Sequence, residues 1–526
     1  MPPTLPPAPG LYRLRTAGIA SPTPPGPMAD ALSASPLPGP TDLLVELGTC
    51  AGSPGDGLDL PSRRDIRILA SGTPRQINAH PGAAAAIPID LTHAVLMPGM
   101  VNAHTHLDLT HLGPLPFDTA EGESASGGAS GGGGGGGGGG FVAWVDRVRE
   151  GRAQTAGEIK ESVRRGIGLS LRAGVVLVGD IAGAAAGVPR LDPFEALAES
   201  PLAGVSFVEF FAIGSREAAA LGRLETVLDG ANRSPATARL GLQPHAPNTV
   251  SLPAYRCAVG LARRFGLPLA THLAETIEER EFIAQGTGPQ REMLERLGVW
   301  TDGILAHIGK GESPLAHLGP VLDEAARDAT PFVVAHVNDI GSDGDSETSR
   351  ALEILKRSGA SVAYCPRASS YFGAPARFGP HRYREMLAAG VNVCLGTDSI
   401  INLWHRLPAD VHPHPDPHPD PHPDPHPDGP GLSVLDEARL LFARDGTDAD
   451  PTLAETLLAM MTINGCRALG WDESACVLAP GAQPLGLVAV DVRDVPPAEQ
   501  MPAERVLRSR AHAGLLAIGT GCPGSP

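Results

Sequence analysis

Eight short apolar runs, separated by amphipathic segments, constrain this chain more than any other feature in it. They are Leu96–Val101, Val175–Val178, Val205–Phe211, Leu240–Gln243, Leu267–Ala270, Phe332–Ala335, Val362–Tyr364 and Val391–Leu395. Runs this short and this apolar read as strands buried on both faces. Phe141–Arg152, Ala254–Phe265, Glu278–Gln285 and Ser349–Ser358 carry helical patterning between them. Buried strands alternating with helices pair in parallel through crossovers. Eight such units predict an α/β fold, a (β/α)8 TIM-type barrel. Such barrels carry their chemistry at the C-terminal ends of the strands.

Those ends are rich in metal-binding residue types. The first run leads into His104-Thr105-His106. Residues two apart on a strand point to the same side, so both imidazoles can reach one cation. Alone, this pair reads more readily as chance than as chemistry. Four later runs end in Gln243-Pro244-His245, in Thr271-His272-Leu273-Ala274-Glu275, in Ala335-His336 and in Thr397-Asp398. Five histidines and one aspartate therefore converge on one rim.

PGMVNAHTHLDL, HAPNTVS, THLAET, AHVND and GTDS, in that order, resemble the amidohydrolase superfamily. Within it they are most similar to the aminohydrolase (deaminase) and chlorohydrolase branch, over roughly Val95–Gly470. The resemblance implies that His104, His106, His272 and Asp398 bind one divalent metal ion. It makes Glu275 the proton shuttle, with His336 holding the reacting water and His245 touching the substrate. Three neutral imidazoles and a carboxylate leave such an ion Lewis acidic, able to lower the pKa of bound water toward ~7. On that reading water adds to an amidine-like carbon, Asp398 accepts the water's proton, and Glu275 protonates the ring nitrogen and then the leaving amine. A structural role for His245 and a solvated helix-start role for Glu275 are the rival readings.

Lysine occurs only at 160, 310 and 356, in predicted helices or a connection. No lysine is placed to bridge two ions, which favours a mononuclear site. Zinc and ferrous iron both suit the ligand set. Near the seventh run, CPRASSYFG resembles a stretch of aminodeoxyfutalosine deaminase-like members. Arg367 and Tyr371 are candidates for gripping a carboxylated or aromatic substrate, with a structural ion pair equally open for Arg367. The reading is a metal-dependent deaminase of an adenine-type nucleoside such as aminodeoxyfutalosine. A chlorohydrolase or cyclic amidohydrolase is the alternative, and a non-catalytic metal-binding protein the remote one.

The flanks are expected to build a second, smaller unit. Residues 1–94 hold strand-like Leu11–Arg15, Leu43–Leu47 and Ile66–Ala70 among Pro-rich loops. Residues 475–526 return to strand character. The two ends together predict a small β-sandwich beside a barrel spanning 95–474. Two low-complexity insertions interrupt that barrel on its site-bearing face: residues 126–140, with ten consecutive glycines, and the His-Pro-Asp-Pro repeat of 413–428. The latter is a possible metal sponge, though periodic proline opposes a compact cage.

The net charge of −17 argues against nucleic acid, since phosphate binding needs clustered Lys and Arg. No apolar run reaches the ~18 residues of a membrane span, and no signal peptide is visible. Seven scattered cysteines read as mostly buried thiols in a reducing compartment, not as a disulfide framework. A cytoplasmic enzyme of small molecules, with a homodimer open, is the expectation.

Overall fold

The computed structural model describes residues 5–6, 8–22, 40–51, 63–116, 141–231, 237–341, 345–404, 431–446, 450–496 and 501–519. The glycine tract of 126–140 and the His-Pro-Asp repeat of 413–428 lie outside the described residues.

Eight parallel strands form the larger sheet: β5 (Met100–Thr105), β6 (Val175–Ala182), β7 (Ala203–Phe210), β8 (Ala238–Pro244), β9 (Leu269–Leu273), β10 (Phe332–His336), β11 (Ser361–Tyr364) and β12 (Val393–Leu395). They neighbour one another in sequence order. A parallel bridge between Thr105 and Asp398 brings the last strand beside the first. All eight predicted runs are strands. The helices Phe141–Gly151, Leu252–Phe265, Ile277–Gln285 and Ser346–Ser358 match the predicted ones within three residues. Several start on sequence-encoded caps: Ser251, Thr276 and Asp345 each accept a backbone N–H of the first turn. Inside the strands, Val101, Ala103, Leu177, Phe207, Ala270, Val333, Ala363 and Cys394 share one core cluster with Cys466, Leu469 and Trp471.

The smaller sheet holds β1 (Gly10–Ile19), β2 (Thr41–Ala51), β3 (Arg63–Gly72), β4 (Ile87–Pro98), β13 (Gly486–Asp491) and β14 (Ala513–Gly519). The chain ends do share a sheet, but the expected two-layer sandwich is absent. The sheet is a closed barrel in the order β1-β2-β3-β14-β13-β4. Closure follows from strand length and bulges. β4 pairs with β1 along one edge and with β13 along the other. Register shifts at Thr16/Gly18, Leu44/Val45, Leu47/Cys50 and Leu487/Val488 add the bends that let the sheet curl onto itself. Alternate residues Tyr12, Leu14, Leu43, Val45, Leu47, Ile66 and Ile68 fill its interior.

The predicted strand Leu96–Val101 is two strands. β4 ends at Pro98 and β5 begins at Met100, so Gly99 is where the chain passes from one barrel to the other. A Cβ on Gly99 would lie 2.4 Å from Val176 Cγ2. Apolar periodicity runs straight through this junction and cannot reveal it. The cysteines also differ from expectation at one place: Cys466 and Cys476 form a disulfide, while Cys257, Cys365 and Cys394 are free thiols. Their spacing of ten carries no motif, and it is the turn after the helix Ile463–Ala468 that brings them together. Among the described residues, no helix is long and apolar enough to cross a membrane.

Gly99→Ala should lower stability to urea unfolding by about 1–3 kcal/mol, the usual cost of overpacking. Gly222→Ala, in the helix Glu217–Gly230 with nothing within 4 Å of the added Cβ, should raise it by about 0.5–1 kcal/mol. Equal effects at the two positions would refute the close approach at the junction.

Candidate metal centre and active site

The seam between β5 and β12 builds half of the site. Thr397 and Asp398 both donate their N–H groups to His104 O, at 3.1 and 3.0 Å, and His106 N donates to Asp398 O at 3.1 Å. Thr105 Oγ1 donates to the same Asp398 oxygen at 2.9 Å. Asn102 completes the stitch: its Nδ2 donates to Thr397 Oγ1 at 2.7 Å and its Oδ1 accepts from Thr397 N at 3.0 Å. The Asp398 carboxylate is thereby set 3.4 Å from His106 Nε2 and 3.8 Å from His104 Nε2. From the opposite side β9 presents His272, whose Nε2 lies 3.3 Å from His106 Nε2. The His336 ring, at the end of β10, centres 5.3 Å from that of His104 and 5.5 Å from that of His272.

This donor set fits a metal ion. Zinc–nitrogen bonds of ~2.0–2.1 Å in a tetrahedron put ligand atoms about 3.3–3.4 Å apart, close to the separations just given. His272 Nδ1 lies 3.0 Å from the carbonyl of His245, which places the proton there and leaves Nε2 as a lone pair. His104 Nε2 is buried without a hydrogen-bond partner. Burial, reinforced by the neighbouring imidazoles, holds His104 and His106 well below their ordinary pKa, so both are neutral, the state that ligates. Burial also lifts the Asp398 carboxyl to about 7, against a hydrogen bond from Asn402 Nδ2. A cation beside it reverses that shift.

The backbone is strained where the site needs it. Five non-glycine residues among those described have positive φ, and four end site-bearing strands: Ala274 (52°), His336 (71°), Val337 (50°) and Asp398 (56°). Left-handed backbone at such residues costs of order 1–3 kcal/mol each and persists only when surroundings over-determine it.

Glu275 follows β9 and sets its Oε1 3.5 Å from His336 Nε2. Burial first, then the charge of Asp398, raises its pKa well above the carboxylate range. His245, at the end of β8, accepts or donates at Nδ1 to Thr249 Oγ1 (2.7 Å) and packs its ring 4.7 Å from that of Phe211. Beside it lies a cluster that the sequence reading missed. Arg152 sits between Asp108 (3.4 Å) and Glu209 (3.3 Å). Glu209 also approaches His245 and His272, the three ligand atoms lying within 4.8 Å of one another. Arg152 already supplies positive charge there, so a second cation is not needed. A signal was present: Glu209 is an acid inside the apolar run VSFVEFF, as is Asp180 inside VVLVGDIA. Lys160 pairs with Glu195, Lys310 with a carbonyl in a connection, and Lys356 lies in the helix Ser346–Ser358; no lysine ends a strand.

Two residues expected at the substrate are committed elsewhere. Arg367 is buried, its Nε 2.5 Å from Glu437 Oε1 and its Nη2 bonded to Ser433 O. Its backbone N–H donates to the other oxygen of Glu437 at 2.9 Å. The side chain thus anchors the helix Val434–Asp445, because a guanidinium this deep is held by the one carboxylate that can neutralise it. Tyr371 gives its hydroxyl hydrogen to Leu115 O (2.9 Å) and accepts from Trp144 Nε1 (3.1 Å), inside an apolar cluster with Leu109, Val148 and Ile401.

A model of the amidohydrolase family matches residues 95–503. The chain belongs to the amidohydrolase family. This amidohydrolase is 28% identical over 341 residues to the aminodeoxyfutalosine deaminase of Deinococcus radiodurans, covering 63% of this chain and 70% of that protein. It is 26% identical over 432 residues to the 5-methylthioadenosine/S-adenosylhomocysteine deaminase of Moorella thermoacetica, covering 78% and 77%. In fold it resembles Helicobacter pylori aminofutalosine deaminase, with TM-score 0.62 at 17% identity over 96% of this chain and 98% of that one. It also resembles a zinc-bound adenosine deaminase from Xanthomonas campestris, with TM-score 0.60 at 16% identity over 98% and 94%. At those identities the likeness concerns the fold alone. The family and its relatives make this protein a hydrolase acting on carbon–nitrogen bonds.

Asn402→Ala should weaken metal retention by about 10–100-fold in a chelator competition, the usual effect of removing a partner of a ligand. Unchanged retention would deny Asn402 its hold on Asp398. Arg367→Ala should cost about 3–5 kcal/mol of stability by stranding Glu437, with KM unchanged in the enzyme that folds. A large rise in KM at unchanged stability would restore Arg367 to the substrate.

Proposed function

We propose that this hydrolase removes an amino group from an adenine-type nucleoside, such as aminodeoxyfutalosine, releasing ammonia and leaving a carbonyl on the ring. The observation that carries this reading is Glu275: a buried carboxyl, biased toward its protonated form, 3.5 Å from His336 and adjoining a four-residue metal ligand set. Loss of an amine needs a proton donor beside the reacting carbon, and a hydrolase that expels a better leaving group has less need of one. Relatives named as deaminases of adenine nucleosides at 28% and 26% identity support the same substrate class.

His104, His106, His272 and Asp398 would hold one divalent ion, zinc by choice of ligands. Bound there, the ion supplies the Lewis acidity that lets water attack at neutral pH. The residues do the rest. Glu275 delivers its proton to the ring nitrogen next to the carbon under attack. Asp398 Oδ1, facing both His104 and His106, receives the proton from the attacking water. His336 Nε2 donates toward that oxygen and stabilises charge as it develops. The proton on Asp398 then passes through Glu275 to the amine as the carbon–nitrogen bond breaks, and the hydroxyl proton of the adduct restores Glu275. His245 faces the substrate, with Glu209 and Arg152 beside it.

The test is ammonia release by metal-loaded protein from adenosine, 5′-substituted adenosines, aminodeoxyfutalosine, guanine and cytosine. Release from at least one adenine nucleoside is expected, and silence across all of them would sink the reading. Glu275→Gln should keep one ion per chain and lose about 10²–10⁴ in kcat. Retained turnover would remove Glu275 from the mechanism.

A further inference from the structure

We propose that Glu279, one turn into the helix that follows Glu275, is a positioning residue that holds Glu275 opposite His336 by clamping its backbone. The inference rests on the role given to Glu275 above.

Glu279 is buried, 3% exposed, and its carboxylate points back along the chain. One oxygen, Oε1, accepts from Ala274 N at 3.0 Å, and the other, Oε2, accepts from Glu275 N at 2.8 Å. Two oxygens that each accept from one of two consecutive amides fix the peptide between them; burial lifts the Glu279 carboxyl to about 7, and these two hydrogen bonds oppose that lift by favouring the ionised form. Ala274 is the residue at φ 52°, so the clamp falls on strained backbone that needs an external hold. The carbonyl side of the same turn is tied as well. Ala274 O accepts from Asn338 N (2.9 Å) and Asp339 N (3.2 Å), and Glu275 O accepts from Asn338 Nδ2 (3.1 Å). Those donors belong to the segment just after His336 and Val337, themselves at positive φ. The turn that carries Glu275 and the turn that carries His336 are therefore one hydrogen-bonded unit, and Glu279 is its anchor on the amide side. Glu279 starts its own helix in register through Thr276, whose Oγ1 caps the N–H of Glu279 at 3.3 Å. Nothing in this arrangement needs Glu279 to touch a substrate, so its effect is transmitted through Glu275.

A carboxamide cannot reproduce the clamp. In Glu279→Gln one oxygen can still accept, but the amide nitrogen faces a backbone N–H, donor against donor. A double-mutant cycle on the nucleoside substrate separates positioning from general support. With Glu275 present, Glu279→Gln should lower kcat by about 10–100-fold, with KM within about threefold and one ion retained per chain. In the Glu275→Gln background the same change should cost less than about twofold, since the group it positions is gone. An equal loss in both backgrounds would overturn the proposal and leave Glu279 a structural residue. A loss of metal in proportion to activity would overturn it too. Full activity in Glu275→Gln would instead show that the role given to Glu275 is wrong, a failure distinct from these. Glu279→Asp, which keeps the charge but shortens the reach, should fall between Gln and the parent, and activity below that of Gln would count against the clamp.

Discussion

The closure of the eight-stranded barrel and the assembly of its candidate metal site are one interaction. Where β12 meets β5, the carbonyl of His104 takes the amides of Thr397 and Asp398, and the amide of His106 reaches back to Asp398. Among the described residues, no other seam of the barrel joins in backbone contact two segments that carry members of the set His104, His106, His272 and Asp398. The side chains of Asn102, Thr105 and Thr397 lock the same junction. Where a parallel sheet of eight strands closes, its first and last strands meet, and here that meeting sets an aspartate beside two histidines nearly 300 residues earlier in the chain.

Placing the site on that seam has an electrostatic consequence. The imidazoles are deep enough to be neutral, and the carboxyls of Asp398 and Glu275 are deep enough to be pulled toward their protonated forms. A cation resolves this for Asp398 because the two are in direct reach. Glu275 stands against His336, its Oε1 3.5 Å from Nε2, and burial raises its pKa. Two carboxyls of the candidate site thus differ in surroundings, Asp398 facing His104 and His106 and Glu275 facing His336.

Much of this was legible in the chain. Eight apolar runs marked the barrel strands, and histidines at four strand ends with an aspartate at a fifth marked the rim. Both signals are local, with residues a few positions apart carrying the period of a strand or the composition of its end. Signals failed where partners lie far apart in sequence. Arg367 followed the end of a predicted strand as a substrate-binding arginine would, but Glu437, seventy residues on, claims it. Glu209 was missed for a related reason, since an acid in an apolar run signals a buried charge without naming its partners, here Arg152 and His245. The smaller sheet misled for a third reason. Alternation shows that a strand has one buried face but not whether the sheet bearing it stays open or closes, which bulges decide.

By itself, then, the sequence determined the strand-and-helix alternation, the identity of the donor atoms and the absence of a lysine at any strand end. These follow from residue type and short-range spacing. Tertiary structure alone decided which donors converge within 3.3–3.8 Å, which charged side chains are consumed by internal pairs, and which backbone turns are strained and clamped. Each of those depends on distances between residues far apart in the chain, and such distances exist only once the barrel has closed.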